Sequence, residues 1–316
     1  MTAAHPTVLI AVPPKWAAHW AVPLSEISPG LRVLATGRDE YAPADIDYVL
    51  SFRPKPGLLK SLPNLKFVFS IGAGVDGFFA DPDYPRHIPL VRFVDRTLSV
   101  EMAQYVVMHA LIHYRQQRMF DAQQRQSIWR QEYIARPARE TRIGILGLGE
   151  IGTMAAERLS DLDFDVAGWS RTRKNVSGVK SYAGADELSG FLARSDILVC
   201  VLPLTPDTRH ILNAKTFAQL PKDAFVINVA RGGHVNEADL IAAIDSGHLS
   251  GAALDVFETE PLPGSSPLWT HPKITVTPHV AAISHPGIAA QQLVDCIAKE
   301  QAGEPLENLV NMERGY

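Results

Sequence analysis

Short apolar runs separated by polar and proline-rich connectors dominate the hydrophobic pattern of this chain, and they come in two series. In the first, Thr7 to Val12, Leu31 to Ala35, Tyr48 to Ser51, Leu65 to Ile71 and Leu90 to Val94 read as short buried strands. Successive buried strands joined by crossovers predict a small parallel sheet with helices on its faces. In the second, Ile143 to Leu146, Val166 to Trp169, Ile197 to Leu202, Ala224 to Val229, Ala252 to Val256 and Ile274 to Thr277 play the same part. Helical patterns fall between them at Asp186 to Leu192, Ala214 to Leu220 and Glu237 to Asp245, with Pro221 and Gly247 as stop signals. This series predicts a doubly wound sheet of six or seven parallel strands. Between the two, Ser99 to Arg130 predicts one long helix or two consecutive ones, with Met102, Tyr105, Val106, Met108, His109, Ile112 and His113 on the apolar face. Pro286 to Glu300 predicts a last helix, closed by Gly303.

A G-x-G-x-x-G spacing occurs twice, each time after an apolar run: Gly72, Gly74 and Gly77, then Gly147, Gly149 and Gly152. Asp95 lies at the distance from Gly72 expected of a ribose-binding acid, whereas Ser170 stands at that distance from Gly147. The segment C-terminal to each motif decides between them. Pro82, Pro85 and Pro89 interrupt the one after the first, and a proline inside a helix costs roughly 3 kcal/mol, so no more than a turn or so forms there. After the second, Ile151, Met154, Ala155, Leu159 and Leu162 recur at helical intervals without a proline. Strand, glycine turn and helix then make a dinucleotide site, the helix turning its bare amides and positive dipole end toward the pyrophosphate.

With 316 residues, 46% of them hydrophobic, the chain is long enough for two buried cores. A net charge of −4 gives no general attraction to nucleic acid or to an anionic membrane, and neither partner is expected. The N-terminus lacks the pattern of a signal peptide, and no apolar run is long enough to span a bilayer, so a cytoplasmic protein is expected. Two cysteines, Cys200 and Cys296, are too few for a disulfide framework and read as packed thiols. His109 and His113 have the spacing of a metal pair on a helix, but without a third ligand they read as packing residues, and no metal is expected. Arg115, Arg118, Arg125 and Arg130 read as a solvated face, with contact to a partner subunit as the alternative.

Ligands of open parallel sheets bind beyond the carboxyl ends of the strands. There the second series carries Ala230-Arg-Gly-Gly233, Glu258-Thr-Glu-Pro261 and Pro278-His279, on one edge with the glycine loop. An arginine, a carboxylate and a histidine suit reduction of a 2-keto acid: the carbonyl oxygen needs a proton and the carboxylate a counter-charge. His279 is the candidate donor, since imidazole titrates near neutrality and an adjacent carboxylate favours its protonated form. Glu260, before the Pro261-Leu-Pro263 turn, is the chosen partner, with Glu258 as the alternative. Arg231, flanked by glycines, can offer its fork of donors to the substrate carboxylate and carbonyl. Asp255, at the end of its strand, can accept from the nicotinamide amide.

Five ordered segments, Gly147-Leu-Gly-Glu-Ile-Gly152, Leu202-Pro-Leu-Thr-Pro-Asp-Thr208, Asn228-Val-Ala-Arg-Gly-Gly233, Leu254-Asp-Val-Phe-Glu-Thr-Glu-Pro261 and Thr277-Pro-His-Val-Ala-Ala282, resemble the D-isomer-specific 2-hydroxyacid dehydrogenases. Within them Gly72-Ala-Gly-Val-Asp76, Trp169-Ser-Arg-Thr-Arg-Lys174 and the terminal Arg314-Gly-Tyr316 are most similar to the glyoxylate and hydroxypyruvate reductases. The resemblance implies two Rossmann-like α/β domains. Residues 97–284 would form the cofactor domain, inserted into a flavodoxin-like substrate domain of residues 1–96 and 285–316, with closure about the two crossings excluding water from hydride transfer. It implies Arg231, Glu260 and His279 as the catalytic set and the amides of Ala73 and Gly74 as an anion nest for the substrate carboxylate. Phe52 stands where related reductases carry a pocket-lining aromatic. Gly147, Gly149, Glu150, Ile151, Gly152, Leu202, Pro203, Thr208, Ala230 and Asp255 are the expected cofactor contacts.

Ser170, Arg171 and Arg173 bear on which dinucleotide binds. A carboxylate at Ser170 would repel a ribose 2′-phosphate, while a hydroxyl and two guanidinium groups would bind it, so NADPH is expected, with NAD possible. The resulting expectation is NADPH-dependent reduction of small 2-keto acids to 2-hydroxy acids, glyoxylate and hydroxypyruvate first, and the family resemblance implies a homodimer joined through residues 100 to 130. Alternatives are a dehydrogenase for another D-2-hydroxy acid, its pocket shaped by Phe52 and the Trp129 and Tyr133 region, or a dinucleotide-sensing protein like the family's corepressors.

Overall fold

A computed structural model describes residues 5–132, 136–313 and 315; Tyr133, Arg314 and Tyr316 lie outside the described residues. The chain divides into two compact units, one of residues 1–96 with 284–316 and one of residues 97–283.

The first unit runs β1 (Thr7–Ala11), α1 (Pro14–Ile27), β2 (Arg32–Ala35), β3 (Tyr48–Ser51), β4 (Phe67–Ser70), α2 (Asp76–Phe79) and β5 (Leu90–Arg92). Its sheet has the order β2-β1-β3-β4-β5 with every pair parallel, the flavodoxin-like arrangement. Helix α1 is not expected from the sequence, where this proline-rich stretch reads as a connector. Pro14 occupies the first helical turn, where a missing N–H has no partner to lose. Pro23 lies inside the helix, and burial of Ala17, Trp20, Ala21 and Leu24, one face at helical spacing, outweighs its cost.

The second unit opens with α3 (Arg96–Tyr114) and α4 (Gln117–Arg125), so the long helical segment is two helices, broken at Gln116 in the left-handed conformation. Their buried face includes Ala103, Tyr105, Val106, His109 and Ala110, whereas Met108, expected on it, is 45% exposed. There follow β6 (Arg142–Leu146), α5 (Glu150–Ser160), β7 (Asp165–Ser170), β8 (Lys180–Ala183), α6 (Gly184–Leu192), β9 (Ile197–Cys200), α7 (Ala214–Phe217), β10 (Ala224–Asn228), α8 (Glu237–Asp245), β11 (Leu249–Leu254) and β12 (Ile274–Val276). Strand β8 is not expected from the apolar pattern: Lys180, Ser181 and Tyr182 make no apolar run, because an edge strand is only half-covered.

The seven strands are parallel in the order β12-β11-β10-β9-β6-β7-β8. From β6 the chain winds outward to β8, then returns to β9 on the other side, so the connections after β6 and β9 leave in opposite directions. That reversal opens a crevice at the carboxyl ends of β6 and β9, where a doubly wound sheet takes a dinucleotide. The last helix, α9 (Pro286–Ala302), returns to the first unit, packs on α1 and ends at Gly303 in the left-handed conformation. No helix among the described residues is long and apolar enough to cross a membrane.

Candidate active site

The glycine loop after β6 fits a dinucleotide residue by residue. Gly147 has φ 106°, a conformation that side chains other than glycine rarely adopt. A Cβ on Gly152 would lie 1.8 Å from the carbonyl oxygen of Gly147, so only hydrogen lets α5 meet the strand. Gly149, the N-cap of α5, differs: its φ of −80° suits any residue, and a Cβ there would meet nothing within 4 Å. Its bare α-carbon satisfies no protein contact and leaves the helix N-terminus open to a pyrophosphate. Glu150 begins α5 and accepts a bond from Ser99 Oγ at 3.2 Å, and Ile151 is half-buried behind it.

The rival motif is built for packing. A Cβ on Gly72 would come within 2.8 Å of the Phe52 ring, and one on Gly77 within 2.4 Å of Arg53 Cγ. Helix α2 after it has four residues, too few to present a useful dipole. The loop of Ala73 and Gly74 is thus laid against Phe52, the residue after β3.

At the end of β7, the Ser170 hydroxyl donates to the carbonyl of Thr172 at 2.7 Å. Arg173 donates to the Ser181 carbonyl and forms an ion pair with Glu187, both at 2.5 Å, contacts that tie this turn to β8 and α6. Arg171 projects from the same turn with its side chain exposed. After β9, the loop from Leu202 closes on itself: Thr208 Oγ1 donates to the Pro203 carbonyl at 2.7 Å and accepts from the Thr205 amide at 2.8 Å.

Two buried side chains that the sequence does not single out hold the arginine loop after β10. Asn228 accepts from the Ala230 amide at 3.1 Å and donates to the Arg231 carbonyl at 3.0 Å. His234 accepts from the Arg231 amide at 3.2 Å, and its Nε2, at 3.2 Å from the Pro203 carbonyl, ties this loop to the one after β9. The available sequence signal is an asparagine closing an apolar strand, which needs a polar partner once buried. Gly232 packs so tightly on the next strand's loop that a Cβ would lie 1.8 Å from the Phe257 carbonyl carbon. Arg231 and its half-exposed side chain are thereby set beside the segment bearing Glu260.

Glu260 Oε1 accepts from the Phe257 amide at 3.0 Å, and Oε2 lies 2.9 Å from His279 Nδ1. Glu258 points elsewhere, to His210 Nε2 at 3.1 Å and Arg209 at 3.8 Å, so the geometry selects Glu260 as the histidine's neighbour. His279 has φ 56°, an uncommon conformation for a side-chain-bearing residue and one that marks sites where the surroundings dictate the backbone. Asp255 is placed differently from the expectation. Only 1% exposed, it accepts from Thr277 Oγ1 at 2.6 Å, the Val280 amide at 2.9 Å and the Ala281 amide at 2.9 Å. Its carboxylate is spent on the turn around His279 rather than turned outward to a nicotinamide amide.

Residues 107–281 match a family model described as D-isomer specific 2-hydroxyacid dehydrogenase, NAD binding domain. A relative named glyoxylate/hydroxypyruvate reductase A, from Yersinia enterocolitica, is 39% identical over 305 residues, covering 95% of this chain and 96% of its own. The chain belongs to the D-isomer specific 2-hydroxyacid dehydrogenases. Among solved structures, a member of this family from Xanthobacter autotrophicus Py2, in complex with NADPH and MES, superposes with a TM-score of 0.92 at 44% identity, covering 99% of this chain and 100% of its own. An NADPH-dependent glyoxylate/hydroxypyruvate reductase from Sinorhizobium meliloti, with NADP and sulfate, gives a TM-score of 0.90 at 40% identity, covering 98% of this chain and 99% of its own.

In this 2-hydroxyacid dehydrogenase the two helical histidines serve packing. The His109 ring lies against Tyr105 with centroids 4.3 Å apart, and His113 stacks on Phe225 at 4.2 Å. Burial lowers the pKa of both, that of His113 to about 4. Among the described residues no group of three or more His, Cys, Asp or Glu could hold a metal. Cys200 is buried, and burial pushes its thiol up to about 12.

Proposed function

We propose that this protein reduces small 2-keto acids, glyoxylate and hydroxypyruvate first, to 2-hydroxy acids with NADPH. The observation that carries the reading is the contact of His279 with Glu260, beside the Arg231 loop and on the same sheet edge as the glycine loop. A nicotinamide dinucleotide held at the Gly147 to Gly152 loop would supply hydride to the carbonyl carbon. Glu260 accepts a hydrogen bond from Nδ1–H of His279, which fixes the ring and directs Nε2, the other protonated nitrogen, to give its proton to the carbonyl oxygen. Arg231 neutralises the substrate carboxylate and polarises the carbonyl. The family resemblance gives the amides of Ala73 and Gly74 a share in binding the carboxylate and Phe52, whose ring packs against Gly72, a share in substrate choice.

Several features support NADPH over NADH: Ser170 in place of an acid, the exposed Arg171 beside it, and relatives solved with NADPH or NADP. A homodimer joined through residues 100 to 130 is part of the proposal, since Ile128 and Trp129 expose apolar side chains there, Trp129 to 94%. Light scattering that gave a monomer mass would remove it.

The test is NADPH and NADH oxidation with a panel of 2-keto acids. Turnover of glyoxylate or hydroxypyruvate is expected, with kcat/KM higher for NADPH, and His279→Gln should lower kcat by about 10²- to 10⁴-fold. Preference for a bulkier keto acid would move the protein to another branch of the family. NADPH binding without turnover of any keto acid would favour a dinucleotide sensor.

A further inference from the structure

The histidine that the proposed reaction uses sits beyond one of the weakest strands in its sheet. β12 has three residues and one neighbour, and its backbone bonding to β11 runs out one residue past its end, where the Thr277 amide donates to the Leu254 carbonyl at 3.0 Å. His279 nevertheless holds an uncommon backbone conformation and meets Glu260 at 2.9 Å. Side chains make up what the ladder lacks. Asp255, at the end of β11, gathers the turn: its carboxylate accepts from Thr277 Oγ1, Val280 N and Ala281 N, and its carbonyl accepts from His279 N at 2.8 Å.

The Thr277 hydroxyl has one proton, and it goes to Asp255 at 2.6 Å. Its oxygen is therefore the acceptor for Tyr105 Oη, also at 2.6 Å. The chain of donation has a direction, from Tyr105 on α3 through Thr277 to Asp255. Tyr105 is 8% exposed, and burial raises its hydroxyl to about 12, so it remains a donor throughout the working range. Arg118 on α4 grips the same edge strand, donating to Thr275 Oγ1 at 2.7 Å and to the Pro272 carbonyl at 2.6 Å.

We propose that Tyr105 and Thr277 are positioning residues which, through Asp255, hold the turn of His279 in the conformation that brings its imidazole to Glu260. The proposal rests on the reading of His279 as proton donor. Neither residue touches the reacting atoms, so their effect falls on turnover rather than on cofactor affinity.

The test compares Tyr105→Phe, Thr277→Val and Thr277→Ser by keto-acid kinetics, and by the ¹H–¹⁵N signal of the His279 ring in protein labelled at histidine. Losing one bond of the chain is expected to lower kcat about three- to tenfold in Tyr105→Phe and about 10- to 100-fold in Thr277→Val. KM for NADPH should stay within about twofold in both, and the ring signal should shift. Thr277→Ser, which keeps the hydroxyl, should restore both readouts. Unchanged kcat and ring signal in Tyr105→Phe and Thr277→Val, with only a lower melting temperature, would overturn the inference, as would a serine variant no better than valine. Should the valine variant fail to fold, Tyr105→Phe, which removes one oxygen atom, decides alone. Wild-type protein inert on every keto acid would sink the functional reading instead, and the ring signal would still judge this one.

Discussion

Individual side chains carry most of the chemistry here, and their hydrogen bonds separate roles that look equivalent on paper. Arg171 and Arg173 are alike in type and share one turn, where Arg173 meets Glu187 and the Ser181 carbonyl. Arg171 directly follows Ser170, the position that reads the ribose, so Arg171→Ala is expected to raise KM for NADPH about tenfold or more and leave KM for NADH nearly unchanged, as loss of a charge-assisted phosphate bond requires. Arg173→Ala, which removes an exposed ion pair, should change stability little and raise KM for NADPH less than Arg171→Ala does. Steady-state kinetics with both nicotinamides, beside a melting curve, check the pair, and equal KM effects would show that both arginines read the phosphate. Glu260→Gln keeps the shape of the His279 contact but removes the charge, so a fall in kcat of about 10- to 100-fold with KM for NADPH unaltered is expected. Arg118, which reads from the sequence as part of a solvated face, proves to be a clamp on β12, because its guanidinium donates to Thr275, Pro272 and Ile274, far along the chain.

At the scale of elements, strand β6, its glycine turn and α5 separate protein needs from ligand needs. Gly152→Ala forces a methyl group into the carbonyl of Gly147 and is expected to cost about 3 kcal/mol of stability as well as cofactor binding. Gly149→Ala places its methyl in open space, so stability should change by at most about 1 kcal/mol while NADPH affinity drops about tenfold or more. Chemical denaturation and cofactor titration of the two variants distinguish the cases. A Gly149→Ala protein that bound NADPH as the wild type does would remove the pyrophosphate from this helix end. Elsewhere, local pattern predicts a strand with complete burial such as β10 and misses β8 and α1. Strand β8 is polar because it is an edge, and α1 is interrupted by prolines that its buried face overrides.

For the whole molecule, pH is the lever the buried groups set. Burial depresses the pKa of His113 to about 4 and lowers that of His109. The unfolded chain, whose histidines take the ordinary value of about 6.5, therefore binds these protons first as the pH falls. Stability is full above about 6.5 and is lost progressively down to about 4 at His113, where both states become protonated. His113 alone should account for about 2 kcal/mol of the loss after allowance for its residual contact with solvent. Denaturation midpoints between about pH 7 and pH 4 check this, and His113→Phe, which retains the stacking on Phe225, should flatten that part of the profile.

Sequence alone determined the two α/β series, the choice between the glycine motifs and the residue types gathered at the strand ends. These follow from local physics: apolar period, the cost of proline in a helix, and the fact that every loop after a parallel strand emerges on one edge. What only tertiary structure decided is which of those residues are committed to the protein itself. Asp255 reads as a cofactor contact and is buried in the His279 turn, Arg173 meets α6, and the parts played by His234 and Thr277 carry no signal of their own. A hydrogen bond consumes a donor whose partner can lie far along the chain, and no local pattern records where that partner stands.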